Sequence, residues 1–352
     1  MPEKGLFLNF DFYPWTKLKN YQGDVSVLQF CRDWLLGMDA FMRYSSGSTG
    51  TPKAISIHRK QMLASVAATA KILKPSSTDQ ILLNLNPDTI GGTMSLVRAM
   101  EWGLNIHVFP ADGNPMIPLD HIHPFTLCSL VPLQLHDILK DPESIAKLNQ
   151  FRVVLLGGAA IDHALFAAIQ ELRPIVYHTY GMTETCSHIA LRQLNGEEKQ
   201  ERFHPLEGVS LRLAEDRTLL IDAPMAIHTS LKTNDLARIY SDQSFEIIGR
   251  LDRTLISGGV KMQLDELEAL FSPLFPDLSF FLYGLEDARL GQKMVLVLES
   301  EPFSTPELEK KLKELAPAYK APKAIIFAPR FERTLTGKTD RINTIRKWAK
   351  TN

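Results

Sequence analysis

Between residues 60 and 180 two hydrophobic rhythms alternate along the chain. Lys60 to Leu73 carries apolar residues at helical spacing and is stopped near Pro75. Gln80 to Leu85 is a short apolar run of strand length, Thr93 to Trp102 is helical again, and Asn105 to Phe109 returns to strand. Thr126 to Leu130 and Arg152 to Leu156 read as buried strands, Ala164 to Leu172 as the next helix, and Ile175 to Tyr180 as a further strand. Such alternation predicts an α/β fold, a large layered domain around a mostly parallel sheet.

Beyond about Asp252 the pattern changes. Gln263 to Leu270 reads as a helix, and Leu278 to Tyr283 and Lys293 to Leu298 as paired strands. Thr305-Pro306 opens a charged amphipathic helix, and Ala324 to Phe327 is another strand. These elements predict a small C-terminal α+β domain, residues 252–352, joined to residues 1–251 through a hinge at Gly249-Arg250-Leu251-Asp252.

Composition narrows the function classes. At 352 residues, with 45% hydrophobic and 22% charged residues, the chain has the balance of a globular protein of two domains. A net charge of -1 gives no bias toward nucleic acid or an anionic membrane. Cys31, Cys128 and Cys186 are too scattered for a zinc site or a disulfide framework, which suits a reducing cytoplasm. The start, MPEKGLFLNFDFYPW, lacks the layout of a signal peptide. The most apolar long stretch, Val153 to Ile169, is interrupted by Gly157, Gly158, Asp162 and His163, so no membrane insertion is expected.

Candidate chemistry concentrates in Tyr44 to Ala54, YSSGSTGTPKA. Ser45, Ser46, Ser48, Thr49 and Thr51 supply hydroxyls, while Gly47 and Gly50 let backbone N–H groups converge on an anion. Lys53 adds a positive charge, so the loop suits a polyphosphate; composition alone fits a linker as well. A P-loop is excluded at both candidate places. Gly337-Lys338-Thr339 has Glu332 where that motif needs glycine, and Lys53 does not follow a glycine.

Five segments occur in order: SSGSTGTPK at 45–53, YGMTE at 180–184, TND at 233–235, GRLDRTLISGG at 249–259 and TLTGK at 334–338. Together they resemble the adenylate-forming superfamily of acyl-CoA synthetases, adenylation domains and luciferases, over roughly residues 40–340. The resemblance implies ATP, Mg²⁺ and CoA as ligands, with a carboxylic acid as the small-molecule substrate. Residues Ser45, Ser46, Gly47, Ser48, Thr49, Gly50 and Lys53 would hold the β- and γ-phosphates. Gly157-Gly158-Ala159 would lie against the adenine and Tyr180, followed by Gly181, would stack on it. Thr183 would contact the α-phosphate, and Glu184 would bind Mg²⁺. Asp235 would accept the ribose hydroxyls, with Arg250 beside it. Lys338 would be the adenylation lysine, bridging the attacking carboxylate and the α-phosphate. Asp252 would be the hinge of a mobile domain that presents Lys338 first and then Ser257-Gly258-Gly259 to the CoA tunnel.

The chain departs from the family pattern at several places. Ala54 replaces the usual glycine after the phosphate loop, and Asn234 stands inside Thr233-Asn234-Asp235. Asp88 and Thr89 stand where relatives often carry an aromatic residue and a histidine before Gly91-Gly92. Only 44 residues precede the loop, so an N-terminal subdomain is expected to be largely missing, which leaves homodimerisation open.

Thr93 to Trp102 carries Arg98 in an apolar helix, where a guanidinium needs an anion or a route to the surface. Its spacing from Gly91-Gly92, and the segment GMTETCSHI at 181–189, resemble the o-succinylbenzoate–CoA ligases of menaquinone synthesis. That resemblance implies a substrate with two carboxylates. One is adenylated; the other meets Arg98 and Ser187, with His188 as a further candidate and Gly91-Gly92 bordering the acid site. Other readings stay open: a ligase for another aryl or short acyl acid, a loader of carrier-protein phosphopantetheine, or a non-catalytic nucleotide-binding remnant.

Overall fold

The computed structural model describes residues 3–9, 11–45, 53–111, 113–276, 278–333 and 339–349. Among them, nine strands form one sheet. Its order is His204–Pro205, Ser187–Gln193, Ile175–Met182, Val153–Leu156, Leu127–Leu130, Gln80–Leu83, Asn105–Val108, Gly5–Leu8 and Asp11–Pro14. The six strands from Ile175–Met182 to Gly5–Leu8 run parallel. Antiparallel strands extend both edges.

The central strands are continuous apolar runs because helices cover both faces. All four residues of Val153–Leu156 are buried. Side chains alternate between the faces. Ile81, Leu83, Leu127, Val153 and Leu155 share a core with the helices Arg59–Leu73 and Ile90–Glu101. Leu82, Cys128, Leu130, Val154 and Leu156 pack on the other side with the helices Pro132–Ile138, Pro142–Leu148 and His163–Ile169.

The helix expected from Thr93 starts at Ile90. Thr89 is its N-cap, the side chain accepting from the Gly92 N–H at 3.4 Å. Gly91 and Gly92 therefore belong to the first turn. A Cβ on Gly92 would lie 2.2 Å from the Asn86 carbonyl oxygen, so only glycine fits there.

Three further groups of strands complete the molecule. Ala40–Ser45 and Lys53–His58 form a hairpin closed by the Ser45–Lys53 pair. Ser210–Leu213, Thr218–Asp222, Leu231–Ile239 and Phe245–Arg250 form an antiparallel sheet. In the C-terminal segment, Val260–Gln263, Thr254–Ser257, Gly291–Glu299 and Phe280–Asp287 pair in that order, and Ala324–Ala328 runs parallel to Gly291–Glu299. This last sheet carries its own apolar clusters, one around Phe271 and Leu296 and one around Phe281 and Ile326.

Asp79 pins the layers together just ahead of the Gln80–Leu83 strand. It is 3% exposed and receives Arg152 Nη2 at 2.8 Å and the Ser76 N–H at 2.8 Å, while Arg152 Nη1 donates to Leu73 O at 2.9 Å. Burial alone would raise the carboxyl's pKa; the Arg152 and Ser76 hydrogen bonds outweigh it and hold the value below the ordinary one. A depressed folded pKa contributes stability that is present above the unfolded value of about 3.9 and is lost as the pH falls through the folded value. Asp79→Asn is expected to cost about 1–3 kcal/mol at neutral pH, since Arg152 loses its counter-charge. Urea unfolding checks this, and the difference from wild type should narrow below about pH 3.9.

Candidate active site

The parallel strand Ile175–Met182 turns into the antiparallel strand Ser187–Gln193 through the short turn Thr183–Thr185. Thr185 builds that turn. Its hydroxyl donates to Ser187 O at 2.7 Å and accepts the Met182 N–H at 3.0 Å. Cys186 and Ser187 follow with φ of 51° and 98°, a left-handed pair without glycine. Such backbone costs on the order of 1–3 kcal/mol per residue and tends to cluster at working sites. Thr183 is buried and Glu184 half-buried at the tip. The Ala40–Ser45/Lys53–His58 hairpin packs on the same turn, so Lys53 and the Thr183-Glu184 pair belong to one region. Residues 46–50 and Lys338 lie outside the described residues.

Gly157, Gly158 and Ala159 follow the end of Val153–Leu156. A Cβ on Gly157 would meet Thr179 Oγ1 at 2.3 Å, and Gly158 has φ of 93°. The Ala159 carbonyl lies 3.2 Å from His178 Nε2. Burial first, and then repulsion from Arg192, lower the His178 pKa to about 4, so the ring is neutral at pH 7.

Tyr180 is engaged by its hydroxyl as well as its ring. The OH donates to Asp235 Oδ2 at 2.6 Å, and the ring meets Phe245 edge-on with centroids 5.3 Å apart. Burial, followed by the Asp235 charge, raises the phenol pKa well above its usual value and keeps the proton on the donor. Asp235 and Arg250 are cross-strand partners, with Arg250 Nη1 donating to Asp235 Oδ1 at 3.1 Å. Arg250 also forms a fork with Asp252, Nε to Oδ1 at 2.9 Å and Nη2 to Oδ2 at 2.8 Å. Thr233 Oγ1 accepts the Asp235 N–H at 3.0 Å. The resemblance set Arg250 beside Asp235 but Tyr180 apart from them; the Tyr180–Asp235 bond spans 55 positions and has no local signal.

A second cluster lies beneath the helix Ile90–Glu101. Arg98 is 4% exposed, and its Nε and Nη2 have no hydrogen-bond partner among the described residues. Burial lowers its pKa to about 10, so the guanidinium stays charged at neutral pH. With Ser95, Trp102, Leu127, Ser129 and Leu155 it borders a cavity of about 20 Å³. Trp102 Nε1 is also buried without a partner among the described residues. His188 is buried, and burial, then the Arg98 charge, push its pKa well below the usual value. Thr69 gives its one hydroxyl proton to Ser65 O at 2.7 Å, so His188 Nε2, 2.9 Å away, is the donor to Thr69. That fixes the neutral tautomer and leaves Nδ1 as an acceptor. Trp102 and Thr69 were missed by sequence reading, because neither sits in a motif.

Ser257, Gly258 and Gly259 form a tight turn between paired strands, closed by Ser257 opposite Val260. Gly258 and Gly259 have φ of 55° and 80°, the two left-handed residues of a two-residue hairpin turn. The Gly258 N–H donates to Leu290 O at 2.9 Å.

A mostly parallel sheet flanked by helices, a hairpin packed on the Thr183–Thr185 turn and a Tyr180–Asp235–Arg250 cluster define a layered α/β protein. The chain belongs to the AMP-binding enzyme family, whose family model matches residues 22–223. It is similar to the solved structure of an acyl-CoA synthetase (AMP-forming)/AMP-acid ligase II-like protein from Dyadobacter fermentans. The two are 37% identical, with a TM-score of 0.62, over 94% of this chain and 97% of that one. The 2-succinylbenzoate–CoA ligase of Haemophilus influenzae is 29% identical over 77% of this chain. The match spans 62% of that ligase's length. The O-succinylbenzoate coenzyme A synthetase of Bacillus subtilis, solved with ATP and magnesium ion, shares the fold with a TM-score of 0.73 at 24% identity, over 86% of this chain and 69% of that one. No helix among the described residues is long and apolar enough to cross a membrane.

Proposed function

We propose that the protein is a cytoplasmic, ATP- and Mg²⁺-dependent acid–CoA ligase whose acid is 2-succinylbenzoate. The observation that carries the acid assignment is Arg98, a buried charged guanidinium with two N–H-bearing atoms unpartnered among the described residues. Burying such a group without a partner costs several kcal/mol, roughly, and a bound carboxylate removes that cost. The names of the curated relatives supply the particular acid. Its aromatic carboxylate would meet Arg98, and its succinyl carboxylate would face the α-phosphate. The cavity beside Arg98 has room for about one water, so side chains must move to admit a ring.

The residues fit ATP with Mg²⁺. Among the described residues no three acidic, histidine or cysteine side chains gather as a metal cluster. Glu184 would therefore hold Mg²⁺ together with substrate phosphates, the arrangement this ion favours. Bound there, the ion would neutralise phosphate charge. Lys53 and the loop at 45–50 would hold the β- and γ-phosphates, and Thr183 the α-phosphate. Asp235 would accept the ribose hydroxyls; its oxygens have lone pairs beyond those used by Tyr180 and Arg250.

A carboxylate oxygen attacks the α-phosphorus, the bond to pyrophosphate breaks, and an acyl-adenylate forms. The CoA thiol then adds to the acyl carbon and AMP leaves. Residues 252–352 would act as the mobile domain, bringing Lys338 for the first step and the Ser257-Gly258-Gly259 turn for the second. Rotation at Asp252 would break its fork with Arg250, so that pair favours the present arrangement.

The test is pyrophosphate release across a panel of carboxylic acids, with and without CoA. 2-Succinylbenzoate should give the highest kcat/KM, and acids lacking the aromatic carboxylate should lose roughly 10–100-fold, the worth of a charged hydrogen bond. A different preferred acid would redirect the assignment.

A further inference from the structure

The helix that carries Arg98 is held at both ends by groups that none of the assigned roles uses. Near its start, Arg43 Nε donates to Thr93 Oγ1 at 2.6 Å. The Thr93 hydroxyl gives its single proton to Pro87 O at 2.8 Å, so it can only accept from Arg43. One hydroxyl thus joins the phosphate hairpin, the loop before the helix and the helix itself. Arg43 Nη1 donates to Met42 O at 2.7 Å, and the guanidinium lies 4.8 Å from the centre of the Phe30 ring. At the other end Trp34 Nε1 donates to Glu101 Oε1 at 2.8 Å, and Arg59 stacks 4.0 Å over the Trp34 ring. Phe30 and Trp34 belong to one helix, Ser26–Leu35.

Nε and Nη2 of Arg98 have no hydrogen-bond partner among the described residues. The place of this guanidinium is therefore set by its helix rather than by hydrogen bonds through those atoms. Whatever fixes the helix against the hairpin fixes the distance between the acid's two ends, one at Arg98 and one at the α-phosphate.

We infer that Arg43 is a positioning residue for acid recognition, acting through the Thr93 hydroxyl to set the helix of Arg98 against the phosphate hairpin. The inference rests on the assignment of Arg98 to the acid's carboxylate. In this role Arg43 acts through Thr93 and not through a contact with the acid.

Steady-state adenylation, followed by pyrophosphate release with 2-succinylbenzoate, tests it in the full chain. Thr93→Val and Arg43→Met should each raise the acid KM about tenfold, with the ATP KM changed less than about twofold. Thr93→Ser, which restores the hydroxyl, should bring the acid KM back to wild type. The double variant Arg43→Met/Thr93→Val should be no worse than the poorer single one, because both remove the same bond. Additive losses, an unchanged acid KM in Thr93→Val, or equal rises in both KM values that Thr93→Ser fails to reverse would overturn the inference. Arg98→Ala separates the two levels. If it leaves the acid KM unchanged, the acid assignment fails and this inference with it; if it raises the acid KM while Thr93→Val does not, this inference alone fails.

Discussion

Arg98→Ala should raise the KM for 2-succinylbenzoate by roughly 10–100-fold and leave the KM for ATP nearly unchanged, the effect of losing a charged hydrogen-bonding partner of about 1.5–3 kcal/mol. The physical reason lies in the free protein. Nε and Nη2 of Arg98 are buried without partners among the described residues, so on the proposed assignment the cost is carried until the acid's carboxylate binds. The same reasoning gives an opposite effect on stability. Arg98→Met fills similar space without an unpartnered charge, so it should raise the unfolding midpoint of the ligand-free protein while impairing acid binding. An arginine that served only packing would lose stability in both variants. Arg98→Lys should not restore acid affinity fully, because an ammonium lacks the planar fork of the guanidinium. An unaltered acid KM in Arg98→Ala would remove the carboxylate clamp from the account.

Lys338→Ala should slow acyl-adenylate formation by roughly two to three orders of magnitude and spare thioester formation from supplied acyl-adenylate. Charge develops between the attacking carboxylate and the α-phosphate only in the first step, where an ammonium gives transition-state stabilisation on the order of 3–4 kcal/mol. That corresponds to a rate loss of roughly 10²–10³ in adenylation alone. The second step has no such demand. Equal loss in both half-reactions would contradict the alternation of one site between two arrangements, and with it the part assigned to the Arg250–Asp252 hinge pair.

The central layer of the fold was legible because its strands are buried on both faces. Val153–Leu156 and Leu127–Leu130 are short apolar runs between helical patterns, and they could hardly be anything else. The antiparallel sheet at 210–250 was not legible. Leu231–Ile239 alternates buried and exposed positions and contains Lys232, Asn234, Asp235 and Arg238, so its apolar content is that of a loop. Gly5–Leu8 and the edge strand Asp11–Pro14 beside it were not legible either, since in Asp11–Pro14 the aromatic Phe12 is exposed and only Pro14 is buried, so the run carries no buried-strand pattern. At the site, motif order pointed to Tyr180 and Arg98 as single positions and to Asp235 with Arg250 beside it. It could not show that Tyr180 and Arg250 converge on one carboxylate, because that contact depends on how two sheets meet. Nor could it show the missing partners of Arg98, since a partner's absence depends on every neighbouring element. Thr93 illustrates the limit well. As a sequence feature it is one threonine in an apolar helix, yet its hydroxyl ties three elements together.

The central claim, that this chain adenylates 2-succinylbenzoate and then transfers it to CoA, is tested most directly by a single-turnover reaction with order of addition. Enzyme in excess is mixed with 2-succinylbenzoate, ATP and Mg²⁺ without CoA, quenched and examined by mass spectrometry. The account predicts stoichiometric pyrophosphate and an acyl-adenylate that disappears, with release of AMP and a CoA thioester, once CoA is added. Absence of the acyl-adenylate, or ADP in place of pyrophosphate, would contradict it.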